Sequence, residues 1–285
     1  MDAEDSDLVL TLQSSVAYGH VGNAGAAFAL QRLGRDVARI DTVRFSNHPK
    51  HGGYAGGPSS AAEIDAIVEG LAARDLLANV GAVLSGYLGT AENALAVARA
   101  VAAVRKARPD ARYCLDPVIG DRPAGRFVAA DIPPAIIEKL LPLADIVTPN
   151  AFELEVLTGA VVTDARSAAN AARTLAGQGR TPVVVVTGLK RDGDVETIAV
   201  ERGAAWVVRT PEVAAPAYGA GDLFCAIFLA RIMCGARVPK ALSLAASSMH
   251  AVFAATASLG RPGLALIEAQ ATLVDPPKLF PAREV

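Results

Sequence analysis

The chain has 285 residues, 52% of them hydrophobic and 20% charged, which gives room for one large α/β domain or two small ones. Its net charge of −2 and the lack of any basic stripe argue against nucleic acid as a partner. The three cysteines, Cys114, Cys225 and Cys234, lie in apolar runs without metal-ligand spacing, so they read as buried thiols in a reducing compartment. Residues 1–7 are acidic with no basic n-region, so no signal peptide is expected and the location should be cytoplasmic. The least charged window, 241–260, carries Ser243, Ser247, Ser248, His250 and Ser258. It is expected to be a core helix and not a membrane span.

The short apolar run 8–12 predicts a first strand ending at Gln13-Ser14-Ser15. The segment Tyr18-Gly19-His20-Val21-Gly22-Asn23 follows as a Gly-bearing turn, and 24–33 is a helix stopped by Gly34. A strand, a glycine turn and a helix open a βαβ unit, in which ligands gather at strand C-termini. The three-glycine dinucleotide pattern and the Walker A pattern are both missing. Short strands are predicted at 37–40 and 42–45. The stretch 46–58 carries so many glycines and prolines that regular structure is not expected there. A loop of this length inside a compact domain suggests a mobile flap over a substrate. His48 and His51 have no carboxylate or cysteine companion nearby in the sequence, so a metal reading of them is weak.

Ser60 with Glu63 forms a capping box that opens a helix to about residue 77. The pattern then alternates. Strands are predicted at 80–84, 112–115, 145–147 and 182–186, and helices at 90–107, 133–141, 151–157 and 165–177. A hairpin at 197–200 and 206–208 is expected to form the sheet edge, and helices to occupy 219–234, 240–255 and 263–272. This reads as a doubly wound α/β fold, a mostly parallel sheet with helices on both faces, in one domain over 1–285 with a small β flap at about 42–58.

Polar groups follow several predicted strands: Ser14, Asp116, Thr148 with Asn150 and Glu153, and Thr187. In a parallel sheet these ends share one edge. Hard oxygen donors there suit Mg²⁺, which keeps waters and phosphates among its ligands. Asn150 and Glu153 also have the spacing of a helix N-cap and its N3 partner, and both roles can coexist. In Tyr218-Gly219-Ala220-Gly221-Asp222 the glycines precede a long apolar run. Backbone N–H groups at such a helix start form an anion site. A carboxylate placed within it suits proton acceptance from an alcohol. The simpler alternative is a tight turn with Asp222 as the N-cap.

The run Gln13 to Asn23, Phe45-Ser46-Asn47-His48, Leu84 to Gly89, Asp116-Pro117-Val118, Thr148-Pro149-Asn150 with Glu153, and Gly219-Ala220-Gly221-Asp222 follow one another between about residue 8 and about residue 255. In that unbroken order they resemble the pyridoxal kinases of the ribokinase-like superfamily. The resemblance implies ATP-dependent phosphorylation of the 5′-hydroxymethyl group of pyridoxal, with pyridoxine and pyridoxamine as related acceptors, in vitamin B6 salvage. It implies Asp222 as the base, and Gly219, Ala220 and Gly221 with it as the anion hole. It places Asp116, Thr148, Asn150, Glu153 and Thr187 on the ATP side, with Mg²⁺ held by Asp116 and Glu153 partly through water. Thr210, Pro211, Glu212 and Val213 would border the adenosine. Ser14, Phe45, His48, Pro49, Lys50 and Tyr87 would face the substrate. A monovalent cation such as K⁺ and a homodimer are further implications. Pro49 stands where the family commonly has Thr, and the segment around 190–194 is shorter than in the relatives it resembles. The alternatives are a kinase for another small alcohol, such as hydroxymethylpyrimidine, and a weakly active pyridoxal-binding relative.

Overall fold

Strict alternation of inward-facing residues builds the centre of the molecule. In β1 (Leu8–Tyr18) Val9 faces one side of the sheet, while Leu10 and Leu12 face the other. The chain continues through α1 (Asn23–Arg32), β2 (Val37–Asn47), β3 (Gly56–Pro58), α2 (Ala61–Ala72), β4 (Val80–Ser85), α3 (Ala91–Ala107) and β5 (Arg112–Leu115). A small hairpin follows, β6 (Gly120–Asp121) with β7 (Gly125–Arg126), then α4 (Ile132–Ala135), which runs on as a π-helical turn at Ile136–Leu140. The rest comprises β8 (Ile146–Val147), α5 (Ala151–Thr158), α6 (Ala165–Ala176), β9 (Val183–Arg191), β10 (Asp194–Glu201), β11 (Ala204–Pro211), α7 (Ala220–Met233), α8 (Val238–Leu259), α9 (Gln270–Val274) and β12 (Arg283–Glu284). This computed structural model describes residues 8–177 and 182–285; the acidic segment 1–7 lies outside the described residues.

The main sheet has ten strands in the order β12-β11-β10-β9-β8-β5-β4-β1-β2-β3. The six from β9 to β2 run parallel, and the strands outside them are antiparallel. Because β1 lies between β2 and β4, the strand order reverses there, the place where open α/β sheets bind ligands. The strands' two faces bury separate apolar clusters. One joins Leu10, Val83, Tyr113 and Val184 to α2, α3, α5 and α6. The other joins Val9, Ala82, Cys114 and Val185 to α1, α7 and α8. The helix α8 is long and apolar enough to cross a bilayer by length and composition alone. Here it is a core helix: Ser243 donates to the Phe280 carbonyl (2.6 Å), Ser248 to that of Leu273 (3.2 Å), and Ser247 accepts from Phe280 N–H (2.9 Å).

The mixed, mostly parallel architecture is as expected from the sequence, but several boundaries differ. β1 does not end at Gln13; it runs on to Tyr18, because β2 pairs with it as far as Asn47. The two strands predicted at 37–40 and 42–45 are one strand, with Thr42 as an extra bulged residue opposite the Gln13/Ser14 step. The Gly- and Pro-rich stretch is not devoid of regular structure, since β3 pairs back on β2 and a 3₁₀ turn occupies Pro49–His51. The 194–211 hairpin is not the sheet edge, because β12 pairs outside β11. The helix expected at 263–272 forms only at Gln270–Val274. Cys234 is exposed at the end of α7, where Arg35 reaches its sulfur, whereas Cys114 and Cys225 are buried as expected.

Candidate active site

The β1–α1 turn and the start of α7 are built against each other. Gly22 has φ +58°, and a Cβ there would overlap the Ser14 backbone and hydroxyl. Asn23 locks the turn by donating from Nδ2 to Asp41 Oδ1 (2.7 Å) and to the Ile40 carbonyl (3.0 Å). Gly219 precedes α7 in the left-handed conformation, φ +81°, and a Cβ there would lie 2.5 Å from the His20 carbonyl oxygen. Only glycine combines that backbone angle with that approach.

Asp222, in the first turn of α7, does not cap its own helix. Its Oδ2 accepts the Gly22 N–H at 2.8 Å, across 200 positions of sequence. The simple N-cap reading is therefore wrong. Asp222 is 9% exposed, and burial raises its pKa while the Gly22 N–H opposes the rise. Among the predicted anion-hole amides, Ala220 N–H is engaged by the Ala217 carbonyl (3.0 Å). Gly221 and Asp222 lie in the first turn of the helix, where N–H groups have no carbonyl one turn back within the helix to bond and are suited to an anion.

Asp116 follows β5 and is 5% exposed. Burial, then repulsion from Glu153 and Asp222, push its pKa well above the usual carboxylate range, while the Thr148 hydroxyl opposes this. A Cβ on Gly221 would lie 3.5 Å from Asp116 Oδ2, which places this carboxylate beside the α7 start. Glu153 is buried in a capping box. One oxygen accepts Asn150 N–H (2.9 Å), the other accepts Ile119 N–H (2.9 Å) and Gly120 N–H (3.4 Å), and Asn150 Oδ1 accepts Glu153 N–H (3.0 Å). Burial lifts its pKa to about 7 despite those three donors. Both oxygens are thus engaged by the protein, and among the described residues no three acidic, His or Cys groups converge as a metal-ligand set. Burial with the Glu153 and Asp222 charges raises the proton affinity of Asp116, and burial with Asp121 raises that of Glu153; buried oxygen donors of this kind suit a hydrated divalent cation.

A cleft of ≈240 Å³ lies beside the α7 start. It is lined by the predicted residues Thr187, Thr210, Pro211, Glu212, Val213, Ala220 and Gly221. Thr187 lies within β9 and not at a strand end, although the parallel pairing stops there with its bridge to Asn150. Asp116, Thr148, Asn150, Glu153 and Gly219 do not line the cleft; the first two lie deeper, beside the buried Cys225. Sequence reasoning missed the α8 stripe Ala246, Met249, His250 and Phe253, which forms the far wall. Its i, i+3, i+4, i+7 spacing was visible, but it is also the spacing of a core helix. In the short 190–194 segment Lys190 borders the same cleft and pairs with Glu212 at 2.5 Å.

A second cleft of ≈210 Å³ is bounded by Tyr18, His20, His48, His51, Tyr218 and Arg261. Of the predicted substrate-side residues only His48 lines it; Ser14, Phe45, Pro49, Lys50 and Tyr87 line neither cleft. Ser14 is buried against Gly22, and Phe45 packs on Tyr54 at 4.3 Å between ring centres. The Tyr87 carbonyl accepts the Thr42 hydroxyl, and burial raises the pKa of the Tyr87 phenol, with Tyr54 adding to it. Pro49 is exposed at the start of its 3₁₀ turn.

Comparison with known proteins places this geometry in a family. The family described as phosphomethylpyrimidine kinase matches residues 61–264. Pyridoxal kinase PdxY of Rubrobacter xylanophilus is 43% identical over 281 residues, 97% of each chain. Its counterpart in Deinococcus radiodurans is 41% identical over 97% of this chain and 96% of its own. The solved pyridoxal kinase of Leishmania donovani in complex with ADP and pyridoxine superposes with a TM-score of 0.92 at 30% identity, covering 99% of this chain and 100% of that one. This chain resembles these enzymes end to end, on a ribokinase-like sheet, and it belongs to the pyridoxal kinase family.

Proposed function

We propose that this kinase transfers the γ-phosphoryl group of ATP to the 5′-hydroxymethyl group of pyridoxal, giving pyridoxal 5′-phosphate and ADP. The observation that carries the reading is the Asp222 carboxylate, buried in the first turn of α7 and tied to Gly22 N–H. Phosphoryl transfer asks chiefly for positioning and for neutralisation of spreading charge. The N–H groups of Gly221 and Asp222 supply donors for the transferring group. Asp222 takes the hydroxyl proton as the oxygen–phosphorus bond forms. Burial makes it a stronger base than an exposed carboxylate, and the Gly22 N–H keeps its ionised form accessible.

In this reading the Thr187–Val213 cleft receives the adenosine, and Asp116 and Glu153 hold Mg²⁺ near the phosphates, with Thr148 and Asn150 in support. The cation, when bound, neutralises charge on the β- and γ-phosphate oxygens. Ser14, the flap residues and Tyr87 surround the acceptor ring. The whole chain acts as one cytoplasmic kinase domain, working as a homodimer with K⁺ as a further activator. The names of the relatives and the ADP-bound solved structure support pyridoxal as acceptor, and the matched family description keeps hydroxymethylpyrimidine as the alternative. Product formation with ATP and each of pyridoxal, pyridoxine, pyridoxamine and hydroxymethylpyrimidine decides between them. The proposal expects pyridoxal to give a higher kcat/KM than hydroxymethylpyrimidine; the reverse order would overturn it.

A further inference from the structure

Tyr218 has no part in the reading above, yet it is the residue on which the flap rests. It immediately precedes Gly219, whose backbone is held against His20 and Val21. The His48 ring stacks on the Tyr218 ring at 4.8 Å between centres and 17° between planes. Lys50 Nζ lies 5.3 Å from the centre of the Tyr218 ring. His51 meets Tyr218 edge-on at 6.1 Å, and Tyr18 meets His51 at 6.2 Å. His48, Lys50 and His51 thus converge from one 3₁₀ turn of the flap on a single ring. That turn is itself held by His48, whose Nδ1 accepts the Lys50 N–H (3.3 Å).

The remainder of the flap has no comparable anchor at its tip. Gly52 and Gly53 both take positive φ, and their missing Cβ atoms would meet open space. Across the flap, Ser46 N–H reaches the Ala55 carbonyl and Ala55 N–H reaches Ser46 Oγ, each at 2.9 Å. These bonds tie the flap's arms together, and the β1–β2 ladder holds its first arm to the sheet as far as Asn47, which leaves the 48–51 turn to its ring contacts. An aromatic stack and a cation over a ring each contribute modestly, and more once water is excluded.

We propose that Tyr218 is a positioning residue that seats the flap on the anion-hole turn, so that the turn which receives the phosphoryl group and the segment that covers the acceptor are held in one arrangement. Its effect on turnover rests on the kinase reading; its effect on the flap does not. In the absence of Tyr218 the flap opens, the acceptor is held less tightly, and water reaches the phosphoryl group.

The test uses the full chain with Tyr218→Leu, Tyr218→Phe and, from the flap side, His48→Leu. Hydrogen exchange of a peptide spanning residues 44–57 is measured without ligands. Tyr218→Leu and His48→Leu should each accelerate it, the double variant should add little more, and Tyr218→Phe should resemble wild type. Unchanged exchange in both Leu variants overturns the proposal. With ATP and pyridoxal, Tyr218→Leu should raise KM for pyridoxal about ten-fold, the ratio given by roughly one stacked pair plus one cation–π contact. KM for ATP should stay constant, and ATP consumed per pyridoxal phosphate formed should rise. A fall in kcat at unchanged KM and unchanged ATP stoichiometry contradicts it. If wild type does not turn over pyridoxal but exchange still depends on Tyr218, the kinase reading fails and the flap seat stands.

Discussion

At the scale of single residues, Glu153 shows how a sequence pattern can carry two meanings at once. The spacing to Asn150 reads as a helix cap, and the cap exists in full. The same side chain also gathers Ile119 and Gly120 N–H, so it fixes the loop leading from Asp116. That second role was not legible, because no local pattern links 119–120 to 153. Glu153→Gln keeps one acceptor oxygen and replaces the other with an amide that opposes a backbone N–H. The capping loss should cost about 0.5–2 kcal/mol, read as a shift of the urea midpoint. If the carboxylate also orients a hydrated cation, the Mg²⁺ concentration for half-maximal activity should rise several-fold. A stability loss with unchanged Mg²⁺ dependence would leave Glu153 a cap and loop anchor only. Gly22 was legible as a turn glycine, but its N–H bond to Asp222 was not, since the two residues are 200 positions apart.

Among elements, the start of α7 is the best specified and the flap the least. Gly219-Ala220-Gly221-Asp222 announces itself because glycine, carboxylate and apolar helix are contiguous. β1 beyond Leu12 does not. Gln13 to Tyr18 is too polar and small to look like strand, and it is strand because β2 supplies its hydrogen bonds. Tertiary pairing overrides local propensity there. The far wall of the cleft lined by Thr187, Thr210 and Val213 was hidden for the opposite reason: Met249 and Phe253 look like core. Gly219→Ala tests the α7 start. A Cβ would collide with the His20 carbonyl at a positive φ, so the turn must move. Stability should fall by about 1–3 kcal/mol. Activity should fall further than stability alone explains, because the shift breaks the alignment of Asp222 with Gly22 N–H. Thermal unfolding and kcat measured at a temperature where the variant stays folded check this. Full activity would mean that the turn is not part of the chemistry.

At the scale of the whole molecule, the alternation of strands and helices was legible, and the reversal of strand order that brings Ser14, Asp116 and Asp222 near one another follows from it. The cost of that arrangement is a cluster of buried carboxylates. Asp116 and Glu153 both have pKa values raised in the folded state, Glu153 to about 7 from 4.5. An acid with a raised folded pKa binds protons more tightly when folded. Its contribution is therefore full below the unfolded value and lost as pH rises through the folded value. The metal-free protein should accordingly lose melting temperature between about pH 5 and pH 8 from these groups, and Mg²⁺ should restore more of it at the upper end. A Mg²⁺ effect that is the same at both pH values would place the cation elsewhere. The central claim is that a buried carboxylate, held across the molecule by the β1–α1 turn, accepts the alcohol proton as the phosphoryl group leaves ATP. The most direct test is pyridoxal 5′-phosphate formation by Asp222→Asn under saturating ATP and pyridoxal. The variant should bind ATP as wild type does while kcat falls by about 10²–10⁴-fold or more. Turnover within a few-fold of wild type would contradict the account.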